Sequence, residues 1–305
     1  MLTTATSVPG DGENEDWYSV TPELVVVLDG ATVRTETGCI HGLVWYVQHL
    51  GVALNRFAAG PGSLQTALAV SIACVAAQHP YCDLKAPGTP SAAVGMVRTR
   101  NGTQERLVLG DISVVTETVD AEISVTCDTR VSATASKLRA EADRHPLGSP
   151  EKAAAIQRMK PHELAARNVE GGYWIAAADP KAAREALSDK ISVSEIRRFA
   201  VLSDGAARFV DLFDLAPWPR ALDYLGVSGP KKFINRVRAA EAADPRGIYF
   251  PRNKHCDDAT VVFGEVQALR RGELPPLARR QELAQDLLTR INAPGVMGEL
   301  PCVRV

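Results

Sequence analysis

The chain has 305 residues, 46% hydrophobic and 23% charged, an ordinary composition for one large globular domain or two small ones. Its 34 Lys and Arg against 36 Asp and Glu leave a net charge of −2, which argues against a nucleic-acid protein, whose surface would carry a basic patch or stripe. There is no signal-peptide pattern, and the longest apolar run (around TALAVSIACVAA) is too short to span a bilayer. The six cysteines, without a CxxC pair, read as free thiols in a reducing cytoplasm and not as a disulfide frame or a zinc site.

The first segment, TTATSVPGDGENEDWYSV, passes from a Gly/Pro/Asp-rich loop into an alternating WYSV that starts a strand. LVVVLDG follows without alternation, the mark of a strand covered on both faces. Residues 38–56 and 62–78 carry apolar residues at helical spacing on either side of an AAGPGS break, which predicts a helical hairpin. His41 and His49 fall in its first half and read as packing or surface residues. After HPYCDLKAPGTP come SAAVGMVRTR, ERLVLGD, ISVVTET and AEISVTCD, four strands in such close succession that they predict an antiparallel meander.

Residues 132–168 read as helical and charged, with a break at Gly148 and Pro150. DPKAAREAL is a short helix whose Asp179 and Pro180 suit the cap and first positions. IRRFAVLSDG is a further strand, AARFVDLF, PWPRALDYLG and GPKKFINRVRAAEAAD are helical, and DDATVVFGEV is a closing strand. The sum predicts an α+β fold, a sandwich of antiparallel sheets flanked by helices. Residues 1–264 form its one domain, and 265–305, with RRGELPPLARRQELAQDLLTRI, a C-terminal helical extension.

Several acids share one placement, at the end of an apolar strand beside Gly or another acid. Asp29 ends LVVVLDG, Asp111 ends ERLVLGD and Asp204 ends RRFAVLSDG; Asp257 and Asp258 open DDATVVF, and Glu15 and Asp16 stand where the first strand begins. Each alone reads as ordinary turn chemistry. Together they point to a hard cation, because clustered carboxylates repel one another unless a cation or proton compensates, and no His or Cys accompanies them. Gly30 would let the backbone approach closely and offer its carbonyl.

NEDWYSV, VVVLDG, LVLGD, AVLSDG and DDATVVF stand in the order of the motifs of the metal-dependent protein phosphatases of type 2C, and the chain resembles that family over about residues 13–263. The resemblance implies a four-layer sandwich, two antiparallel sheets with paired helices on each outer side. It implies two bound Mn²⁺ or Mg²⁺ ions, with Asp29 bridging both. Asp204 and Asp257 would complete the first site, and Glu15, its neighbour Asp16 and the Gly30 carbonyl the second. Asp111 matches the acid linked to a looser third ion. The activity implied is hydrolysis of phosphoserine and phosphothreonine in proteins, by in-line attack of a metal-bridging hydroxide.

The motifs also depart from the family's pattern. Asp11 stands where many members carry a phosphate-gripping Arg, and Ala31-Thr32 replaces a glycine-rich sequel that often holds a His. Arg208 stands where another acid is common, and Ile112 rather than Ser follows Asp111. Arg34, Arg208 and His255 are the candidates to grip phosphate, to replace the third ion with a fixed charge and to donate a proton; each also reads as a surface or loop residue. The rebuilt cleft leaves open a small phosphorylated metabolite as substrate, or a catalytically silent relative that binds a partner through the old cleft.

Overall fold

The computed structural model describes residues 2–32 and 35–266. The predicted C-terminal helix lies outside the described residues, as does Arg34. In chain order the strands are β1 (Leu2–Val8), β2 (Asp16–Val20), β3 (Leu24–Gly30), β4 (Ala92–Arg100), β5 (Thr103–Leu109), β6 (Ser113–Thr118), β7 (Ile123–Thr126), β8 (Leu187–Ser192), β9 (Ile196–Leu202) and β10 (Ala259–Glu265). The helices are α1 (Leu43–Ala58), α2 (Leu64–Ala76), α3 (Arg130–Ala133), α4 (Ser136–Asp143), α5 (Pro150–Ala165), α6 (Asp204–Asp211), α7 (Trp218–Ser228) and α8 (Pro230–Ala243).

The strands pair in two five-stranded antiparallel sheets, ordered β1-β10-β9-β6-β7 and β2-β3-β4-β5-β8. β3 shows why its apolar run does not alternate. Leu24, Val26 and Leu28 pack under α1 and α2, while Val25 and Val27 pack into the layer between the sheets with Phe199, Val201 and Val262. Both faces are covered, so both must be apolar. The other outer face is covered by α6, α7 and α8, packed through Phe209, Phe233 and Leu222 onto Ala200, Leu202 and Val261. The predicted four layers are present.

Local chemistry sets the helix ends. Ser63 caps α2 by accepting from the Thr66 N–H, and Ser149 caps α5 through Lys152 N–H with Pro150 in the first turn. Asp179 caps a short 3₁₀ helix, Pro180–Glu185, as its sequence implied. α6 begins on Asp204 itself, directly after β9, so this acid sits in the first turn of a helix.

Two expectations are corrected and one strand is added. TTATSV is not loop: β1 pairs along its whole length with β10, from Leu2↔Glu265 to Val8↔Ala259. LSDKIS forms β8, an exposed, charged edge strand on β5 whose polarity hides it from a hydrophobic pattern. The four close strands do not form one meander. β4 and β5 belong to one sheet and β6 and β7 to the other, and the chain crosses between sheets at Gly110-Asp111-Ile112, where Gly110 takes φ +84°. No helix among the described residues is long and apolar enough to cross a membrane.

Candidate metal centre

The acidic positions come from separate elements. Asp29 is the penultimate residue of β3 and lies opposite Asp16 of β2 in the strand register, so the two carboxylates project from the same face. Gly30 follows and donates its N–H to the Glu15 carbonyl at 3.1 Å. A Cβ at position 30 would stand 2.6 Å from that carbonyl, so glycine is required for the close approach. Asp111 lies at the crossover between sheets, and Asp204 opens α6, its backbone N–H reaching Asp29 Oδ2 at 3.3 Å. Asp257 stands two residues before β10.

Asp29, Asp111, Asp204 and Asp257 line a single cavity of about 310 Å³ at one end of the sandwich. The rest of its lining includes the cations Arg139, Lys160, Arg208, Arg252 and Lys254, and the acid Glu163, which pairs with Arg139 and Lys160. The acidic floor is electrostatically costly. Burial, and then the charges of Asp16, Asp204, Asp111 and Asp257, push Asp29 well above the usual carboxylate range. Burial, with Asp204 next, raises Asp111 to about 7, and burial with Asp257 raises Asp204.

Asp16 lies behind this floor and is buried. Its Oδ2 accepts from the Ser203 and Thr260 hydroxyls at 2.8 and 2.7 Å, while Oδ1 is buried with no hydrogen-bond partner. Burial lifts its pKa to about 8. Glu15 likewise titrates above the usual range through burial, and its carboxylate accepts from the Thr32 hydroxyl. Thr32, noticed in the sequence only as a departure, therefore holds an expected ligand in place. Asp258 points the other way. Its carboxylate accepts from the Gly10 and Glu15 N–H groups at 2.7 and 2.8 Å and clamps the loop that carries Glu15.

Arg208 and Lys254 are the largest departure from a bare acidic site. Arg208 Nη2 donates to Asp257 Oδ2 at 2.6 Å and Nη1 to the buried Glu241 at 2.9 Å; Lys254 Nζ pairs with Asp257 Oδ1. Burial opposes charge on both cations, but the surrounding carboxylates, Asp257 foremost with Asp204 and others behind it, together outweigh it, and both titrate above their ordinary values. Arg208, a candidate from the sequence, thus faces the cavity; Lys254 was not singled out. His255 is corrected. It is absent from the cavity wall and turns outward, with Nδ1 3.6 Å from Asp11 Oδ1, because its neighbour Lys254 takes the inward direction.

No protein-family model matches the chain, and no curated protein does. Solved structures match over most of its length. The serine/threonine phosphatase PstP of Mycobacterium tuberculosis is 16% identical with a TM-score of 0.51, covering 88% of this chain and 99% of its own. A bacterial serine phosphatase is 12% identical with a TM-score of 0.53, covering 90% and 100%. The serine/threonine phosphatase Stp1 of Staphylococcus aureus is 11% identical with a TM-score of 0.51, covering 87% and 95%. Two antiparallel sheets face to face, helices on both outer sides and acids gathered at one end of the sandwich: the chain has the type 2C phosphatase fold.

Proposed function

We propose that the chain is a metal-dependent phosphomonoester hydrolase acting in the cytoplasm on phosphoserine and phosphothreonine in proteins. The observation that carries the reading is the meeting of Asp29, Asp111, Asp204 and Asp257 on the floor of one cavity. Carboxylates pressed together this closely stay ionised at neutral pH only with added positive charge. An all-oxygen donor set fits Mg²⁺ or Mn²⁺. The partnerless Oδ1 of Asp16 and the close Gly30 backbone agree with that fit.

Asp29, Asp204 and Asp257 would hold one ion, and Asp29, Glu15 and the Gly30 carbonyl a second; Asp111 would serve a looser third. Bound ions supply Lewis acidity toward phosphoryl oxygens and lower the pKa of a coordinated water. The chain's own residues do the rest. Arg139, Lys160 and Lys254 line the wall facing the acids and draw a phosphate dianion into the cavity. Ser203 and Thr260 fix Asp16 behind Asp29, and Asp258 fixes the loop of Glu15. Burial pushes the Tyr173 phenol in the cavity wall to about 12, so its oxygen keeps its proton and remains a neutral donor.

Turnover of p-nitrophenyl phosphate with and without Mn²⁺ tests the reading; activity that needs the metal supports it, and none at any metal concentration overturns it. A panel of phosphopeptides against phosphorylated metabolites then tests the substrate class. One observation favours a second reading. Asp257 is already neutralised by Arg208 and Lys254, as in a silent module that binds phosphorylated partners without metal. Metal-independent phosphopeptide binding without turnover is its signature.

A further inference from the structure

We propose that Cys39, His41, His79 and Cys82 form a structural zinc site, separate from the acidic centre. The four residues come from two pieces of chain, Cys-x-His just before α1 and His-x-x-Cys just after α2, brought together by the α1–α2 hairpin. One donor atom each from Cys39, His41 and His79 lies within 4.8 Å of the others. Cys82 Sγ stands 3.8 Å from Cys39 Sγ and 3.6 Å from His41 Nδ1, and Cys39 Sγ stands 3.8 Å from the same nitrogen. A tetrahedral zinc with ordinary bond lengths sets its sulfur ligands about 3.8 Å apart and a sulfur and a nitrogen ligand about 3.6 Å apart. Three side chains from two loops already stand at those separations.

The surroundings support ligation. His79 is buried, and its Nδ1 lies 2.8 Å from the Val75 carbonyl. A carbonyl only accepts, so the proton sits on Nδ1 and Nε2 is left with a lone pair, the arrangement found in zinc-bound histidines. The His41 backbone N–H donates to Cys39 Sγ at 3.4 Å and orients that sulfur toward the cluster. Trp45 closes one side, stacked on His41 at 4.4 Å and edge-on to His79 at 4.7 Å. Two thiolates and two neutral imidazoles balance Zn²⁺ charge for charge, which suits a half-buried site.

Such a site would pin the segment before α1 to the end of α2. The two pieces already meet backbone to backbone, with Asp83 N–H on the Gly38 carbonyl at 2.8 Å. A Cβ at Gly38 would lie 2.6 Å from the Asp83 carbonyl, and one at Gly88 would lie 2.1 Å from the Glu36 carbonyl. This crossing lies a few residues beyond Thr32, the residue that holds Glu15. Zinc would therefore anchor the far end of the loop leaving the acidic cavity.

The test uses the full-length chain, purified with a non-thiol reductant and no chelator. Elemental analysis is expected to find about one zinc per chain. Co²⁺ exchanged into the site is expected to give a thiolate-to-cobalt charge-transfer band and the intense visible bands of a tetrahedral centre. Cys39→Ser and Cys82→Ser are each expected to lose the zinc, while Cys74→Ser and Asp29→Asn retain it, which separates this site from the carboxylates. If the cysteine variants do not fold, X-ray absorption of the wild-type chain decides through its count of sulfur and nitrogen neighbours. A chain that takes up no zinc, a Cys39–Cys82 disulfide under reducing purification, or an octahedral cobalt spectrum would overturn the proposal.

Discussion

Arg208 and Asp257 are joined at 2.6 Å across the acidic cavity, and Lys254 takes the other oxygen of the same carboxylate. A metal ion at Asp257 would compete with these cations for the carboxylate. Lys254 is the cleaner one to remove, since Arg208 also neutralises the buried Glu241. Lys254→Ala is expected to lower the Mn²⁺ concentration for half-maximal p-nitrophenyl phosphate turnover about tenfold, equivalent to ~1.4 kcal/mol. An unchanged or higher Mn²⁺ requirement would show that the ammonium does not compete.

Asp29 faces four other carboxylates. Asp29→Asn is expected to reduce metal-dependent turnover by about 10²–10³ or more, as for loss of a central electrostatic partner. The same substitution removes the repulsion, so the metal-free protein should unfold a few degrees higher at neutral pH. Loss of both activity and stability would mean that Asp29 only holds the fold.

The raised acids make metal-free stability depend on pH, with a definite sign. Asp16 titrates near 8 and Asp111 near 7 in the folded chain, against 3.8 unfolded, so the folded state binds more protons between those values. Stability is greatest below about pH 4 for these groups and falls as pH rises through 7 to 8. Thermal unfolding without metal should show that decline, and saturating Mn²⁺ or Mg²⁺ should reverse most of it at pH 8. A flat metal-free profile contradicts the burial of these carboxylates.

Asp258 accepts two backbone N–H groups with two oxygens, which an amide cannot do. Asp258→Asn should leave the fold intact and raise the metal requirement by freeing the loop of Glu15. Equal metal dependence in the variant and the parent chain would refute that role.

Gly95 sits where the sheets press together. A Cβ there would stand 2.3 Å from Ile112 Cγ2 and 3.0 Å from Val201 Cγ1, both fully buried. Gly95→Ala is expected to destabilise the protein by about 1–3 kcal/mol in chemical denaturation, the cost of overpacking a filled layer. A neutral result would mean that the layer can relax.

The acidic cluster was legible in the sequence because strand-end acids leave a local mark, an apolar run closed by Asp-Gly or Asp-Asp. The layered fold followed from the same runs, since β3 could only be apolar throughout if covered on both sides. β1 and β8 were missed because Thr-rich and charged edge strands carry no such mark; pairing with β10 and β5 makes them strands. Which acids face the cavity is a matter of register. Asp16 stands beside Asp29 yet engages one carboxylate oxygen with Ser203 and Thr260, residues distant in the chain. Adjacent positions diverge in the same way, with Lys254 turned in and His255 out toward Asp11. The cysteines show the limit most plainly. Cys-x-His and His-x-x-Cys are each too short to mean anything alone, and a helical hairpin's length of chain separates them. Their meeting depends on how α1 packs against α2, a tertiary contact that no local pattern encodes.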